Sequence, residues 1–235
     1  MNNLVNYYFY LLFLISITVN AQNSTYTQKA EYGYKGAVKK VTSYIVDATK
    51  YTIPTDTVAF TGKTIMTFTK NGDVINYLRR YNQPKYNYKS KAVFKGIGKN
   101  ISYKEEYTLN DAPAEKKEYQ FIWTNPLEYK IVVNKDSLNQ VRTITLNNDF
   151  SIHKVTFKGL NYFSEEQATY QYANNLLEKI TYKVTITNNE ETNTKEDIRL
   201  IKAVDVYNNP TVIYFFEKES SRVPKSVVFK YYEYY

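Results

Sequence analysis

Cysteine is absent from this sequence, and histidine, tryptophan and methionine are nearly so, with one, one and two copies. Without thiols there are no disulfides, thiolate zinc sites, iron–sulfur clusters or cysteine nucleophiles. A single histidine leaves no HExxH zinc protease motif and no multi-histidine metal site. No stretch rich in Gly and Ser or in Pro divides the chain, which argues for one domain. Alanine and leucine are sparse after Gln22, and a 3.6-residue apolar period is hard to find there. A second apolar run of membrane-spanning length is also missing.

What the chain does have is β-forming material and positive charge. Its 235 residues are 43% hydrophobic, enough for one sizeable core, and 26 of them are tyrosine. Thirty-one basic residues against 23 acidic leave a formal charge of +8 and a pI near 9.2.

Residues 4–19 are almost wholly apolar around Leu11, Phe13 and Ile15, and Val19-Asn20-Ala21-Gln22 follows. This pattern predicts a secretory signal helix cleaved after Ala21, although positions 2–6 hold no Lys or Arg. The stretch is shorter than the ~20 residues a retained anchor needs. With no cysteine available for lipidation, the expectation is a periplasmic or secreted protein that is not a lipoprotein. Residues 1–21 form the leader and 22–235 a single domain with no integral membrane segment.

That domain reads as strand almost throughout. Runs rich in β-branched and aromatic residues fall at 41–46, 64–69, 74–78, 118–123, 128–133, 141–146, 152–157, 168–172, 179–187, 198–207, 211–217 and 226–235. Asn, Asp, Gly, Pro and Ser cluster between them. Asn71-Gly72 between two such runs predicts a type I′ hairpin turn. Longer connections are expected at 47–56, 79–90 and 188–197. Short connections favour antiparallel pairing. The fold expected is all-β, a long antiparallel meander of hairpins in one twisted or partly curled sheet.

Two segments repeat a strand–Asn turn–strand plan, Tyr172-Ala173-Asn174-Asn175-Leu176 through Tyr182 and Asp205-Val206-Tyr207-Asn208-Asn209 through Tyr214. Looser copies lie at 68–74 and 107–113. The spacing is uneven, so this is a hairpin series and not a solenoid of fixed period. These segments resemble degenerate units of the YD, or Rhs-like, repeat, in which an aromatic–Asp pair precedes a Gly/Asn turn and an apolar strand. The opening segment 36–42, the turn 205–210 and the final aromatic strand 227–235 are similar to those of a short exported type frequent in Bacteroidota. Ala173 stands in the Asp slot, and Asn174 and Asn208 stand in Gly slots. The resemblance implies a β-meander, export, no established activity for short members, and an attribution of carbohydrate binding that maps to no particular residue.

The residues able to carry chemistry are few. His153 shares a strand face with Val155 and Phe157 by alternation, near Asp149 and Ser151, but no nucleophile-elbow motif accompanies it, so it reads as structural. Glu105-Glu106, Glu165-Glu166, Glu190-Glu191 and Glu196-Asp197 are adjacent pairs, which strand alternation sends to opposite faces, and they read as solvated charges. The acidic stretch 188–197 lacks the spacing of a calcium loop. No cofactor is implied. The densest basic-aromatic tract is 77–95, and its Tyr77, Arg79, Arg80, Tyr81, Tyr86 and Tyr88 are the candidate ligand contacts. They offer stacking faces and charge suited to a glycan or an anionic envelope component. Nucleic acid is not an expected partner of an exported chain.

The function expected is an exported, non-enzymatic binding or surface-interaction module. Two alternatives stand beside it. One is a glycan-acting hydrolase, which needs two carboxyls across a groove. The other is an outer-membrane β-barrel, for which Val227, Phe229, Tyr231 and Tyr235 alternate toward an aromatic C-terminus, although Glu233 breaks that face.

Overall fold

A computed structural model describes residues 25–49, 52–83, 86–133, 140–189 and 191–235; the expected leader and Glu190 lie outside the described residues. Among the described residues, one short helix, α1 (Gln28–Glu31), precedes fourteen strands. These are β1 (Val38–Asp47), β2 (Gly62–Phe68), β3 (Val74–Gln83), β4 (Tyr86–Ile97), β5 (Asn100–Leu109), β6 (Glu115–Asn125) and β7 (Glu128–Val133), followed by β8 (Val141–Leu146), β9 (Ile152–Lys158), β10 (Tyr162–Ala173), β11 (Leu176–Asn188), β12 (Glu191–Val204), β13 (Pro210–Phe216) and β14 (Ser226–Tyr234). Each pairs antiparallel with its neighbours in sequence.

The expectation of an all-β antiparallel meander holds, but the sheet does not stay open. β1 pairs with β14 from Val38 opposite Tyr234 to Asp47 opposite Ser226, closing the meander into a barrel. Closure satisfies the backbone groups that two free edges would leave exposed.

Two expected connections are strand instead. Residues 79–90 belong mostly to β3 and β4, and 191–197 open β12. In both, the outward residues are polar, so the apolar run that marks a strand in sequence is thinned. Thr185 and Thr187 on β11 nonetheless meet Thr194 and Thr192 on β12 through hydroxyl hydrogen bonds at 3.1 and 2.9 Å.

The turn at Asn71-Gly72 also differs from expectation. Only Gly72 has positive φ, +95°, and Thr69 N–H donates to Asp73 O at 2.8 Å, so the loop is longer than a two-residue type I′ turn. The two-residue form occurs at Asn174-Asn175, with φ of 50° and 63°. At Gly96, φ is +99° and a Cβ would stand 1.8 Å from the Asn100 carbonyl oxygen, which confines that corner to glycine.

The turns following β2, β4, β6, β8, β10 and β12 gather at one end of the barrel, and α1 plugs it. Lys29 N–H donates to Gly72 O at 2.9 Å, and Val74 N–H donates to the Gln28 side-chain oxygen at 2.8 Å. Tyr26 packs edge-on against Trp123 at 4.7 Å and Phe150 at 5.8 Å.

The turn at 205–209, singled out by its repeat-like sequence, fastens the plug. Asp205 accepts from the N–H groups of Tyr207 and Asn209, both at 2.9 Å, and from the Tyr234 hydroxyl. Asn209, wholly buried, accepts from Lys35 N–H at 2.7 Å and donates to Lys35 O at 3.0 Å and Tyr234 Oη at 2.8 Å. Replacing Asn209 with Ala removes these three hydrogen bonds at a wholly buried side chain, and we expect a loss of about 2 kcal/mol in urea unfolding. An unchanged midpoint would show the plug to be held elsewhere.

Candidate functional site

Strand alternation divides the barrel wall into a lumen face and an outer face. On β3 the lumen face carries Tyr77, Arg79 and Tyr81, and on β4 it carries Tyr86, Tyr88, Ser90, Ala92 and Phe94. Five of the six residues singled out in sequence therefore converge on one face: Tyr77 and Arg79 line an internal cavity, and Tyr81, Tyr86 and Tyr88 form a cluster of rings about 6 Å apart toward the end opposite α1. The sixth, Arg80, points outward between them and is exposed.

The cavity encloses about 180 Å³ between α1 and strands β3–β9. By the volume one water needs, this is room for on the order of ten waters or one small ring-bearing molecule. Aromatic rings dominate its walls. Tyr103 stacks between Phe94 and Tyr119 at 4.8 and 4.4 Å, and Phe121 stacks on Tyr129 at 5.0 Å. Burial raises the Tyr77 and Tyr119 phenols, each to about 12. Neighbouring phenols and Glu105 add to this, so the rings stay neutral.

Charge breaks this aromatic surface at three places, one of them an ion pair. Arg79 pairs with Glu105, whose side chain is only 6% exposed; it also donates to Ser90 Oγ at 3.0 Å and Tyr88 Oη at 3.2 Å. Tyr88 in turn donates to Glu105 at 3.0 Å. The Arg79 guanidinium also lies over the Tyr77 and Tyr88 rings, at 5.2 and 5.4 Å. On the opposite wall, Arg142 of β8 lines the same cavity, and among the described residues it has no ion-pair partner.

The third group is Glu31, at the end of α1. Its carboxylate accepts from the hydroxyls of Tyr26 and of Tyr129, the latter at 3.0 Å. Burial raises its pKa from an ordinary value near 4.5 to about 7, against the two phenol hydrogen bonds, which lower it.

Neither Glu31 nor Arg142 was a candidate from sequence. Arg142 is legible only through its alternation with Ile144 and Leu146. Glu31 sits in a polar stretch with no motif, and only the capping residue Thr27, whose side chain accepts from Ala30 N–H, marks a helix there. His153 lies in β9 outside this cavity, and among the described residues no cluster of metal-ligating side chains occurs. Of the carboxylate pairs, Glu105 faces the lumen while Glu106 faces out toward Lys116 at 3.7 Å. Glu165 likewise faces out, toward Lys154 at 3.6 Å.

Comparison with family models, curated proteins and solved structures returns no match, so the site is interpreted from its own geometry.

Two measurements follow. Arg79→Met leaves the Glu105 carboxylate buried without its cation, and we expect about 3 kcal/mol of destabilisation in denaturant unfolding. Arg80→Met, one residue along but outward, should change stability by less than ~0.5 kcal/mol. For Glu31 the unfolded chain ionises near 4.5 and the folded one near 7, so the folded state holds the extra proton between these values. Its contribution to stability is thus complete below pH 4.5 and is lost as pH rises through 7, by about 3 kcal/mol. Urea midpoints of wild type and Glu31→Gln across that range should diverge in favour of the variant as pH rises. Parallel curves would show that Glu31 does not titrate there.

Proposed function

We propose that this chain is an exported, non-enzymatic binding module whose barrel lumen takes a small acidic sugar or a similar anionic ring. The observation that carries this reading is the Arg142 guanidinium, which has no ion-pair partner among the described residues, in a cavity walled by stacked tyrosines. Aromatic faces accept the apolar faces of a ring, and a guanidinium with free donors matches a carboxylate in bidentate geometry. A concave site with aromatic walls and a few converging polar groups is a usual form of small-ligand site. The export component rests on the leader-like residues 4–21.

The closed barrel is also compatible with an outer-membrane barrel, and the outer face of β14 and β1 carries the apolar Val227, Phe229, Tyr231, Tyr44 and Val46. Around β3–β6, however, the outer face bears Arg80, Lys89, Lys91, Lys95, Lys104, Glu106, Lys116 and Glu118. Lys or Arg facing lipid at mid-depth costs about 2–4 kcal/mol each, which favours a barrel standing in water. On the hydrolase alternative, Glu31 and Glu105 both line the cavity, yet each is engaged by the protein's own groups, Glu31 by two phenols and Glu105 by Arg79 and Tyr88. That arrangement favours binding over turnover.

Isothermal titration with galacturonate and with neutral galactose tests the proposal. Galacturonate should bind and galactose should bind at least tenfold more weakly, and Arg142→Gln should cost galacturonate about tenfold, or ~1.4 kcal/mol. Equal binding of the two sugars, or no binding of either, would reject the acidic-sugar reading; release of a reducing end from a galacturonate oligomer would reassign the cavity to hydrolysis.

A further inference from the structure

The floor of the cavity is built by α1, and it places an acid where an anionic ligand has to arrive. Glu31 and Arg142 line the same 180 Å³ space, and Glu31 is buried to 6% exposure. We propose, on the basis of the lumen-binding reading above, that Glu31 couples occupancy of the lumen to a proton, so that an anionic ligand enters together with one proton on this carboxyl.

The argument begins with what surrounds Glu31. From the N-terminal segment comes the Tyr26 hydroxyl and from β7 the Tyr129 hydroxyl, both donating to the carboxylate. Tyr32 adjoins it on the plug, and Tyr77 of β3 and Arg142 of β8 are near enough to act on the Tyr32 phenol. Asp73, in the turn before β3, acts on Tyr26, and Lys99 lies over the Trp123 ring that packs against Tyr26. None of the cations among these groups contacts the carboxyl. Two neutral phenols are its only hydrogen-bond partners among the described residues.

A carboxyl so placed is sensitive to any further negative charge. With the lumen empty, the Arg142 charge reaches the Tyr32 phenol beside Glu31. A ligand carboxylate seated on Arg142 adds an anion to the cavity that Glu31 also lines, between aromatic walls that screen charge less than bulk water does. Ionised Glu31 then repels the ligand and protonated Glu31 does not. Because coupling between two bound species is reciprocal, a ligand that binds tenfold better to the protonated form raises the Glu31 midpoint by one pH unit. The midpoint of the empty protein near 7 puts this exchange in the neutral range. Acidification thus loads the barrel, and alkalinisation releases the ligand.

The test uses the chain lacking the leader, with galacturonate as probe, whose own carboxyl stays ionised throughout. In the ligand-free protein, carbon-13 NMR of the side-chain carboxyls should show one glutamate, absent in Glu31→Gln, titrating near 7. Titration calorimetry should then give a dissociation constant about tenfold larger at about pH 8.5 than at about pH 6. At about pH 7, enthalpies in phosphate and Tris buffers should differ in the sense of proton uptake. Glu31→Gln should bind with one constant at both pH values and take up no proton.

Should Glu31→Gln not fold, Tyr129→Phe serves in its place. It removes one hydrogen bond that favours the ionised carboxyl, so the break in affinity should move to higher pH. PH-independent binding of galacturonate by the wild type, or a pH dependence that survives Glu31→Gln, overturns the coupling and leaves the lumen site standing. Failure of galacturonate to bind at either pH overturns both. A Glu31 midpoint in the ordinary carboxylate range overturns the coupling alone.

Discussion

Everything in this molecule depends on the pairing of β1 with β14. Without it the meander has two long unpaired edges, and its tyrosine-rich inner face is one side of a curled sheet open to water. With it the inner face becomes a lumen, and residues far apart in sequence share one enclosed space. The pairing is not made by backbone hydrogen bonds alone. Val41 faces Tyr232 inside, while Val46 and Val227 on the outside pack with Phe229 and with Phe60 from the loop after β1. A band of apolar contacts therefore seals the seam from both faces.

The second constraint is that an enclosed space of this size has to be filled or lined. The sequence does both with tyrosine, whose ring packs and whose hydroxyl can reach water or a partner. Near the plug the rings pack together with Phe68, Met66 and Val74, and the interior is solid there. Higher up, between β3 and β9, the walls separate and charged groups enter. Arg79 of β3 and Glu105 of β5 neutralise one another across the intervening β4, whereas Arg142 and Glu31 remain apart. A further interior cation, Lys230, hydrogen-bonds the Tyr34 hydroxyl at 3.3 Å, and burial with the nearby Arg199 lowers it to about 8. The inner surface is thus balanced by pairing in one quarter and left unbalanced in others.

Much of this was legible from sequence. Period-two alternation in Tyr77-Leu78-Arg79-Arg80-Tyr81 separates the lumen-facing Tyr and Arg from outward Arg80, and the same alternation splits Glu105 from Glu106. What could not be read is where the alternate face points once the sheet closes. The β1–β14 pairing joins the two ends of the chain, and no local pattern announces it. The 79–90 tract reads as loop because outward Arg80, Asn82, Asn87 and Lys89 interrupt the apolar signal. Glu31 was invisible for a different reason: it is held by Tyr129 and by Tyr26, itself packed on Trp123 and Phe150, and these partners on the barrel wall lie far along the chain. The segments resembling YD units do form hairpins, but their polar residues serve the structure, with Asp205 and Asn209 tying the plug to the last strand.

That last tie has a consequence for the order in which the molecule is assembled. Thirteen of its fourteen strand pairings join neighbours in sequence and can form as each hairpin becomes available, with only short loops to close. The floor of the lumen is different. The segment that builds it precedes β1 and is held in two ways: by the early partners Gly72, Val74 and Tyr129, and by Asn209, in the turn before β13, which Tyr234 of β14 fixes in its turn. Until β14 arrives the second latch is incomplete. The lumen therefore gains its final wall and the full fastening of its floor in a single late step, and a chain that stops short of β14 lacks both.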